Sequence, residues 1–397
     1  MAQQTDSTSP APSGGAPTEG LVGLLDASPG PVLPAALDAW RAAHGAAWAD
    51  PTARHTAGRR TRALLDRARA VVAEGLGVRP DEITFHSSGD QAARTALSGL
   101  ARGRRRRTGG CVTSAVEHSS LVRWLRAGGT PPVEVAVTPT GAVDLDAWRA
   151  AITGETPFAV LQSANQEVGT RQPVAAARAV TAEHGVPLLV DARAGLGREP
   201  APTHFDVLVG DASSWGGPRL GVLVVRTGTR FAPHHPPSPH EGGLALDPVD
   251  VPTALAAAEA WRQVAATRAD DARAAHDLID RVRTTASGID GVDVVGDPHD
   301  RLPHVCTFSV LYVDGETILD ELARRGLAVA SGSACTADTL EPSHVLAAMG
   351  ALTQGNVRLT LPLAAVSPDR DADVDRLCDE LPAAVEACRR RLGTTGL

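Results

Sequence analysis

Apolar residues recur every three or four positions along several stretches of the chain, which is the spacing of helices that bury one face. The helices predicted in this way cover residues 35–47, 61–74, 91–100 and 174–184. Short apolar runs of strand length alternate with them, at residues 82–85, 111–114, 133–137, 158–162, 188–190, 207–209 and 222–225. Strands that alternate with helices predict an α/β fold with a mainly parallel sheet covered on both faces.

The pattern changes near residue 250. Two alanine-rich helices are predicted there, at residues 251–266 and 270–287. Three strands are predicted after them, at residues 292–295, 306–310 and 357–359, with one more helix at 315–324. We therefore expect a disordered tail over residues 1–20, a large α/β domain over 21–250 and a smaller α+β domain over 251–397. The tail is rich in Ser, Pro, Gly and Thr and lacks the pattern of a signal peptide, so we expect a cytoplasmic protein.

Charge narrows the possible chemistry. The sequence carries 38 basic and 46 acidic side chains for a net charge of −8, and all 38 basic residues are arginine. Without lysine, no side chain can form a Schiff base with an aldehyde cofactor, because that step needs a primary amine. The acidic balance argues against nucleic acid as a partner, and the run Arg104-Arg105-Arg106-Arg107 is typical of a solvated loop. No stretch approaches the ~20 apolar residues that a membrane span needs.

Cysteine spacing singles out one thiol. The five cysteines show no CxxC spacing, which predicts reduced thiols and no metal site: Cys111, Cys306, Cys335, Cys378 and Cys388. Cys335 stands in the string SGSACT (331–336), which follows an apolar, strand-like segment (327–330) and precedes LEPSHV (340–345). A cysteine among small residues on a loop would be exposed, which suits a nucleophilic thiol. An inert small residue in a turn explains the same pattern equally well.

This loop and several other motifs resemble the cysteine desulfurases, class V aminotransferases of the pyridoxal-phosphate (PLP) fold type I, and specifically their long-loop class. The similar segments are LDASP (25–29), DPTARHTAG (50–58), EH (117–118), NQEVG (165–169), VDA (190–192) and VRL (357–359). The resemblance implies a large domain with a mainly parallel seven-stranded sheet, a smaller α+β C-terminal domain and a homodimer. It also implies PLP as the family's cofactor.

The resemblance assigns roles to five residues. His118 would stack on the cofactor ring, Asn165 would face its hydroxyl, and Asp191 would pair with the pyridine nitrogen. Arg358 would bind the substrate carboxylate through its guanidinium fork, and Cys335 would receive sulfur. Simpler roles remain open from the residues alone: His118 as a helix cap, Asp191 as a cap of the following turn, and Arg358 in a structural ion pair.

The chain departs from the family pattern at the segment SxHKxxGPKG, which aligns with DASSWGGPR (211–219). Gly217-Pro218 sets this register. The resemblance then places Ser214 at the Schiff-base lysine, Ser213 at the histidine before it and Asp211 at the serine that binds the cofactor phosphate.

Other phosphate contacts also differ. The family's GATE turn appears as Gly89-Asp90-Gln91-Ala92, so that Asp90 replaces a small residue and Gln91 the phosphate-binding threonine. The family's RSGT segment appears as ALDP (245–248), and Ala194 replaces the glutamine that follows VDA. Acids at 90, 211 and 247 near the phosphate would repel it, since that site needs hydrogen-bond donors.

Four functions remain open at this stage. The first is a cysteine-desulfurase-like protein without ordinary PLP catalysis, which acts as a sulfur-relay or regulatory partner through Cys335 and pairs with an active desulfurase or a sulfur acceptor. The second is an enzyme with altered chemistry, which uses non-covalent PLP or pyridoxamine phosphate, or no cofactor, with Asp211, Ser213 or Ser214 near the reacting atom. The others are an active cysteine desulfurase and a pure interaction module.

Overall fold

A computed structural model of the protein describes residues 23–331 and 342–393. The main sheet contains seven strands: β1 (Ile83–His86), β2 (Val112–Ser114), β3 (Val133–Val135), β4 (Ala159–Gln162), β5 (Leu188–Asp191), β6 (Val207–Asp211) and β7 (Gly221–Val225). Their order is β1-β7-β6-β5-β4-β2-β3, and only β7 runs antiparallel to its neighbours. The predicted fold class, with a mainly parallel seven-stranded sheet, is confirmed.

Seven helices accompany this sheet along the chain: α1 (Pro34–Ala46), α2 (Thr56–Leu76), α3 (Gly89–Gly103), α4 (Ser119–Ala127), α5 (Leu145–Ala151), α6 (Val174–Glu183) and α7 (Val251–Ser287). Both faces of the sheet are buried. Leu161 and Val190 belong to a hydrophobic cluster with residues of α2, α6 and α7, whereas Val160 and Leu189 pack with α3 and α4. This alternation along the strands explains why they read as continuous apolar runs in the sequence.

A second, antiparallel sheet follows, with the strand order β10-β9-β8. Its strands and helices are β8 (Val292–Val295), β9 (Val305–Val310), α8 (Gly315–Arg324), α9 (His344–Met349), β10 (Asn356–Thr360) and α10 (Arg370–Leu392). The N-terminal segment also joins this region: Leu25 is fully buried in its core and donates its backbone N–H to the Ala328 carbonyl over 2.9 Å.

The two helices predicted between residues 251 and 287 are wrong, because α7 is a single helix of 37 residues. Its first half packs Ala257 and Trp261 into the core of the main sheet, and its second half packs Leu278 and Val282 into the core of the second sheet. Residues 267–270 contain no Gly or Pro that would end a helix. The domain boundaries at residues 20 and 250 stay predictions.

Two other elements also differ from what the sequence pattern indicates. Residues 327–330 do not form a strand but make only isolated bridges, at Ala328 and Ala330. The 23-residue α10 carries Pro382 in its interior, and helix propensity alone does not predict a helix across a proline.

In the described ranges 23–331 and 342–393, no helix combines the length and apolarity that crossing a membrane requires.

Candidate functional site

A cavity of about 410 Å³ lies at the carboxyl ends of β5 and β6, where β10 and the segment around Pro29 close it from the side of the second sheet. Parallel strands present their functional loops at this edge. Six of the residues predicted for the site line the cavity: Asp90, His118, Asp211, Ser213, Ser214 and Arg358.

The centre of the site is an ion pair between Asp191, at the end of β5, and Arg193. Arg193 donates from Nε to Asp191 Oδ1 over 2.9 Å and from Nη2 to Oδ2 over 2.6 Å, so that both carboxylate oxygens are engaged. The side chains of Asp191 and Arg193 are only 6% and 14% exposed. Burial opposes the charge on Asp191, but Arg193 outweighs it and the pKa of Asp191 falls below its usual value.

Arg193 also links this pair to the start of α3. Its Nη1 lies 2.5 Å from Asp90 Oδ1, and the same oxygen accepts the Ser120 hydroxyl proton over 2.7 Å. Ser120 Oγ in turn lies 2.8 Å from His118 Nδ1. Burial, together with the charge of Arg193, lowers the pKa of His118 to about 4, so the imidazole is neutral at pH 7.

The side chain of Asp211, at the end of β6, contacts the N-terminus of α3. Its Oδ2 accepts the backbone N–H of Gly89 over 2.6 Å, and its Oδ1 accepts the hydroxyl of Ser213 over 2.7 Å. A Cβ at position 89 would lie 2.8 Å from Arg193 Cδ and 2.9 Å from Asp211 Cβ, so only glycine allows both side chains to approach. Ser214 donates its hydroxyl to the Asp211 carbonyl over 2.8 Å.

Two predicted residues, Asn165 and Gln91, lie apart from this cluster. Asn165 is fully buried and does not line the cavity, because its amide donates to the Val116 carbonyl over 3.0 Å and accepts two backbone N–H groups of the following turn. Gln91 is half-buried, and its backbone N–H bonds to the N-cap Ser88 over 3.2 Å. Cys335 lies outside the described residues.

The simpler roles that the sequence left open are all present. His118 caps α4 by accepting the Ser120 N–H over 3.2 Å, and Asp191 accepts the Arg193 N–H over 3.1 Å. Arg358, on β10, lies 3.6 Å from Asp26 and is only 4% exposed. These contacts and a place in the site are compatible, since His118 and Arg358 both line the cavity.

Arg358 keeps unused binding capacity. Its Nε is buried without a hydrogen-bond partner among the described residues, and the guanidinium groups of Arg198 and Arg219 line the same cavity. A guanidinium fork matches a carboxylate with two parallel hydrogen bonds, so this side of the cavity can bind a small anion.

Sequence reasoning missed Arg193. The signal that could have revealed it is a cation placed two residues after Asp191, in a loop that follows a strand, where it can fold back on the carboxylate. Asp247, in contrast, was expected near the cofactor phosphate but is exposed and does not line the cavity of this chain.

Comparison with known proteins gives the ancestry of this site. The sequence matches the family described as "Aminotransferase class-V" over residues 23–227 and 248–377. It is 30% identical to the cysteine desulfurase IscS 1 of Archaeoglobus fulgidus over 347 residues, which cover 86% of this chain and 90% of that protein. The chain belongs to the class V aminotransferases, in the cysteine desulfurase family. The cysteine desulfurase IscS of Methylococcus capsulatus is 31% identical over 342 residues, or 82% of this chain and 84% of that protein.

Solved structures show the same fold. A NifS-like protein superposes with a TM-score of 0.83 at 23% identity and covers 91% of this chain and 98% of its own. DndA of Streptomyces lividans gives a TM-score of 0.71 at 25% identity, over 88% of this chain and 99% of its own. Together these matches confirm that the chain is a cysteine-desulfurase-like protein of the PLP fold type I.

Members of the family use PLP, which supplies an aldehyde for imine chemistry and an electron sink. The residues of this chain do not fit that group as they stand. The carboxylate of Asp191 is bound on both oxygens by Arg193, and the α3 N–H that would meet a phosphate donates to Asp211. Among the described residues, no cluster of His, Cys, Asp and Glu could bind a metal ion.

Proposed function

We propose that this chain is a cysteine-desulfurase-like protein that does not perform PLP-dependent desulfuration and acts as a sulfur-relay or regulatory partner in sulfur transfer. The observation that carries the proposal is the internal charge network of Arg193 and Asp211 at the cofactor's two anchoring points. Arg193 stands in for the pyridinium cation, and Asp211 stands in for the phosphate anion.

Energetics support this assignment. Separating a largely buried ion pair such as Asp191–Arg193 costs about 3–5 kcal/mol when one partner is left uncompensated. A phosphate brought against the carboxylate of Asp211 adds a like-charge contact of a few kcal/mol, on the order given by Coulomb's law at a protein surface. No covalent bond offsets these costs, since the sequence has no lysine and Ser214 takes the lysine position in the family alignment.

The proposed relay role rests on the thiol loop. The string SGSACT is retained although the imine and phosphate motifs are altered, and Arg358 keeps its place in the cavity. In the proposal, the Cys335 thiolate attacks the outer sulfur of the persulfide on an active desulfurase, whose cysteine leaves as a thiolate, and an acceptor thiolate then takes the same sulfur from Cys335. We further propose a cytoplasmic homodimer, as the family resemblance implies.

A second candidate, an enzyme with altered chemistry, is favoured by one feature. The cavity keeps about 410 Å³ of space, and Ser213, Ser214 and Arg358 all line it. A small carboxylate can therefore bind there without any cofactor.

The test is a sulfide-release assay on cysteine with added PLP and a thiol reductant that releases persulfide sulfur as sulfide, using the Archaeoglobus fulgidus desulfurase as the positive control. We expect sulfide from the control alone. Sulfide release by the present chain at a comparable rate would overturn the proposal.

The relay role is tested separately. Persulfidated cysteine desulfurase is mixed with the wild type, with Cys335→Ser or with the matched control Cys378→Ser. Mass spectrometry then follows the transfer of the persulfide sulfur to each of these chains. We expect transfer to the wild type and to the control but not to Cys335→Ser. Equal labelling of all three proteins would exclude Cys335 as the carrier.

A further inference from the structure

A second cavity, of about 580 Å³, lies at the opposite end of the main sheet, between α3 and α4. Cys111 and Phe158 line it, and each directly precedes the amino end of a parallel strand, β2 and β4 respectively. The candidate site described above lies at the opposite edge, at the carboxyl ends of β5 and β6, which run parallel to these strands. The two cavities share no lining residue.

The floor of this second cavity is apolar. Leu97 of α3 and Leu125 of α4 line it beside Cys111 and Phe158, and each of the four is only 4–7% exposed. Burial raises the pKa of the Cys111 thiol to about 12, so the sulfur contributes an apolar surface and not a thiolate. These four residues belong to the hydrophobic core between α3, α4 and the sheet, so a ligand in the cavity can contact that core.

The rim is cationic. Four arginines and one histidine are among the residues that line the cavity: Arg94, Arg102, Arg104, Arg107 and His234. No carboxylate side chain lines it. This concentration of positive charge occurs in a chain of net charge −8, so it is a local feature and not a bulk property. The acid nearest in sequence, Glu155, bonds to Thr108 over 3.1 Å and does not line the cavity.

Two of these cations are fixed by the fold. Arg104 donates from Nη2 to the Gly185 carbonyl over 2.6 Å, while its Nε is buried without a hydrogen-bond partner among the described residues. Arg94 lies over the Trp124 ring at 4.5 Å from its centroid, which holds the half-exposed indole at the rim. The run of four arginines therefore divides: Arg104 and Arg107 line the cavity, and the two between them are exposed.

We propose that this cavity binds an organic anion with an apolar body, of the class of medium-chain carboxylates. Arg104 and Arg107 bind the anionic head, and the four-residue floor takes the hydrocarbon. Each side of the cavity meets one half of such a ligand, and the volume lies within the ~300–1,000 Å³ of small-molecule pockets. An inorganic anion would leave the apolar floor wet, and a neutral lipid would leave the guanidinium groups unpaired.

The proposal is tested by calorimetric titration of the full chain with decanoate, with acetate and decanol as the two half-ligands. We expect saturable binding of decanoate at one site per chain. Acetate and decanol should each bind at least about tenfold more weakly, because each lacks one of the two contacts. The absence of saturable decanoate binding, or equal binding of decanol, would overturn the proposal. If a second copy of the chain covers this face, saturable decanoate binding will be absent, so this arrangement also overturns the proposal.

Four variants locate the site. Arg107→Gln removes one cation and should weaken decanoate binding about tenfold, whereas Arg67→Gln on the exposed face of α2 should not. Ala101→Trp fills the cavity from α3 and should abolish binding, whereas Ala70→Trp, also exposed on α2, should not. Far-ultraviolet circular dichroism checks that all four fold. Unchanged affinity in both Arg107→Gln and Ala101→Trp would place the ligand elsewhere and contradict the assignment.

Discussion

Arg193 changes the chemistry of the whole site through one side chain. Its guanidinium donates to both oxygens of Asp191 on β5 and to Asp90 on α3. One cation therefore connects the loop that carries Arg193 with a strand and a helix. The same charge lies beside His118 and, after burial, is the next contribution to its low pKa. The centre of the site is balanced without any bound group, because the buried charges of Asp191 and Arg193 have opposite signs and pair with each other.

This balance predicts the effect of Arg193→Met, which removes the charge and keeps an unbranched side chain. Asp191 then remains buried without its partner, so the free energy of unfolding at neutral pH should fall by about 3 kcal/mol. The loss should shrink in acid, where Asp191 is protonated and needs no cation. Urea denaturation measures both values. Arg41→Gln, at an exposed pair with Asp38, should change stability by less than about 1 kcal/mol. An equally small change for Arg193→Met would contradict the account.

Glu117, beside His118, gives a second prediction at this scale. The side chain is fully buried, and this burial raises its pKa from 4.5 to about 8. The folded protein therefore keeps a proton that the unfolded chain releases, and between these two values stability falls as the pH rises, by up to ~1.4 kcal/mol per unit. Glu117→Gln cannot ionise but can still accept from Ser114 and Gln162, so this dependence should disappear.

The measurement is urea denaturation at pH ~5 and pH ~8, compared between Glu117→Gln, the wild type and the exposed control Glu74→Gln. Relative to the wild type, Glu117→Gln should gain stability on going from the lower to the higher pH, and Glu74→Gln should not. A constant difference at the two pH values would show that Glu117 is ionised in the folded protein.

At the scale of elements, α7 ties the two sheets together. One uninterrupted helix contributes Trp261 to the core of the main sheet and Val282 to the core of the second sheet. Between these contacts, Asp271 on the same helix pairs with the almost fully buried Arg370 at the start of α10 over 2.8 Å. Movement of one sheet relative to the other must therefore bend α7 or break this ion pair.

Ala269→Pro tests this role, because Ala269 is exposed and lies between the two packed halves of α7. Proline removes a helical hydrogen bond and should lower the free energy of unfolding by about 3 kcal/mol or more, whereas Ala269→Gly should cost about 1 kcal/mol. Thermal unfolding followed by circular dichroism measures both. Equal, small losses would indicate that the helix is already interrupted here, as the sequence pattern suggested.

Elements with a clear apolar period were predictable, and those that depend on tertiary contacts were not. The predicted helix 35–47 differs from α1 by one residue at each end, and 174–184 differs from α6 by one residue at its C-terminal end. The break placed in α7 was wrong because the polar residues between its two buried stretches resemble a linker, although they contain no helix-breaking residue. α10 was missed because tertiary packing tolerates its internal Pro382, which local propensity does not.

At the scale of the whole molecule, the site combines residues from both sheets. Asp191 and Asp211 come from the ends of parallel strands, His118 from the start of α4, and Arg358 from β10 of the second sheet. Family motifs were sufficient to predict most of this set, because the order of motifs fixes which strand ends meet. The pairing of Arg193 was not predictable from motifs, since it depends on the direction of one long side chain that the family pattern does not contain.

We propose that the chain fills the cofactor's anchoring points with its own charges. This proposal is tested most directly by a visible-absorbance titration with PLP of the wild type, Ser214→Lys, and Ser214→Lys combined with Arg193→Ala and Asp211→Ser. Because the wild type has no lysine, borohydride trapping and mass spectrometry can assign any side-chain Schiff base to the introduced amine. We expect no change in the spectrum of added PLP with the wild type, at least about tenfold weaker binding by Ser214→Lys than by the triple variant, and saturable binding by the triple variant. Binding of PLP by the wild type, or by Ser214→Lys as tightly as by the triple variant, would contradict the account.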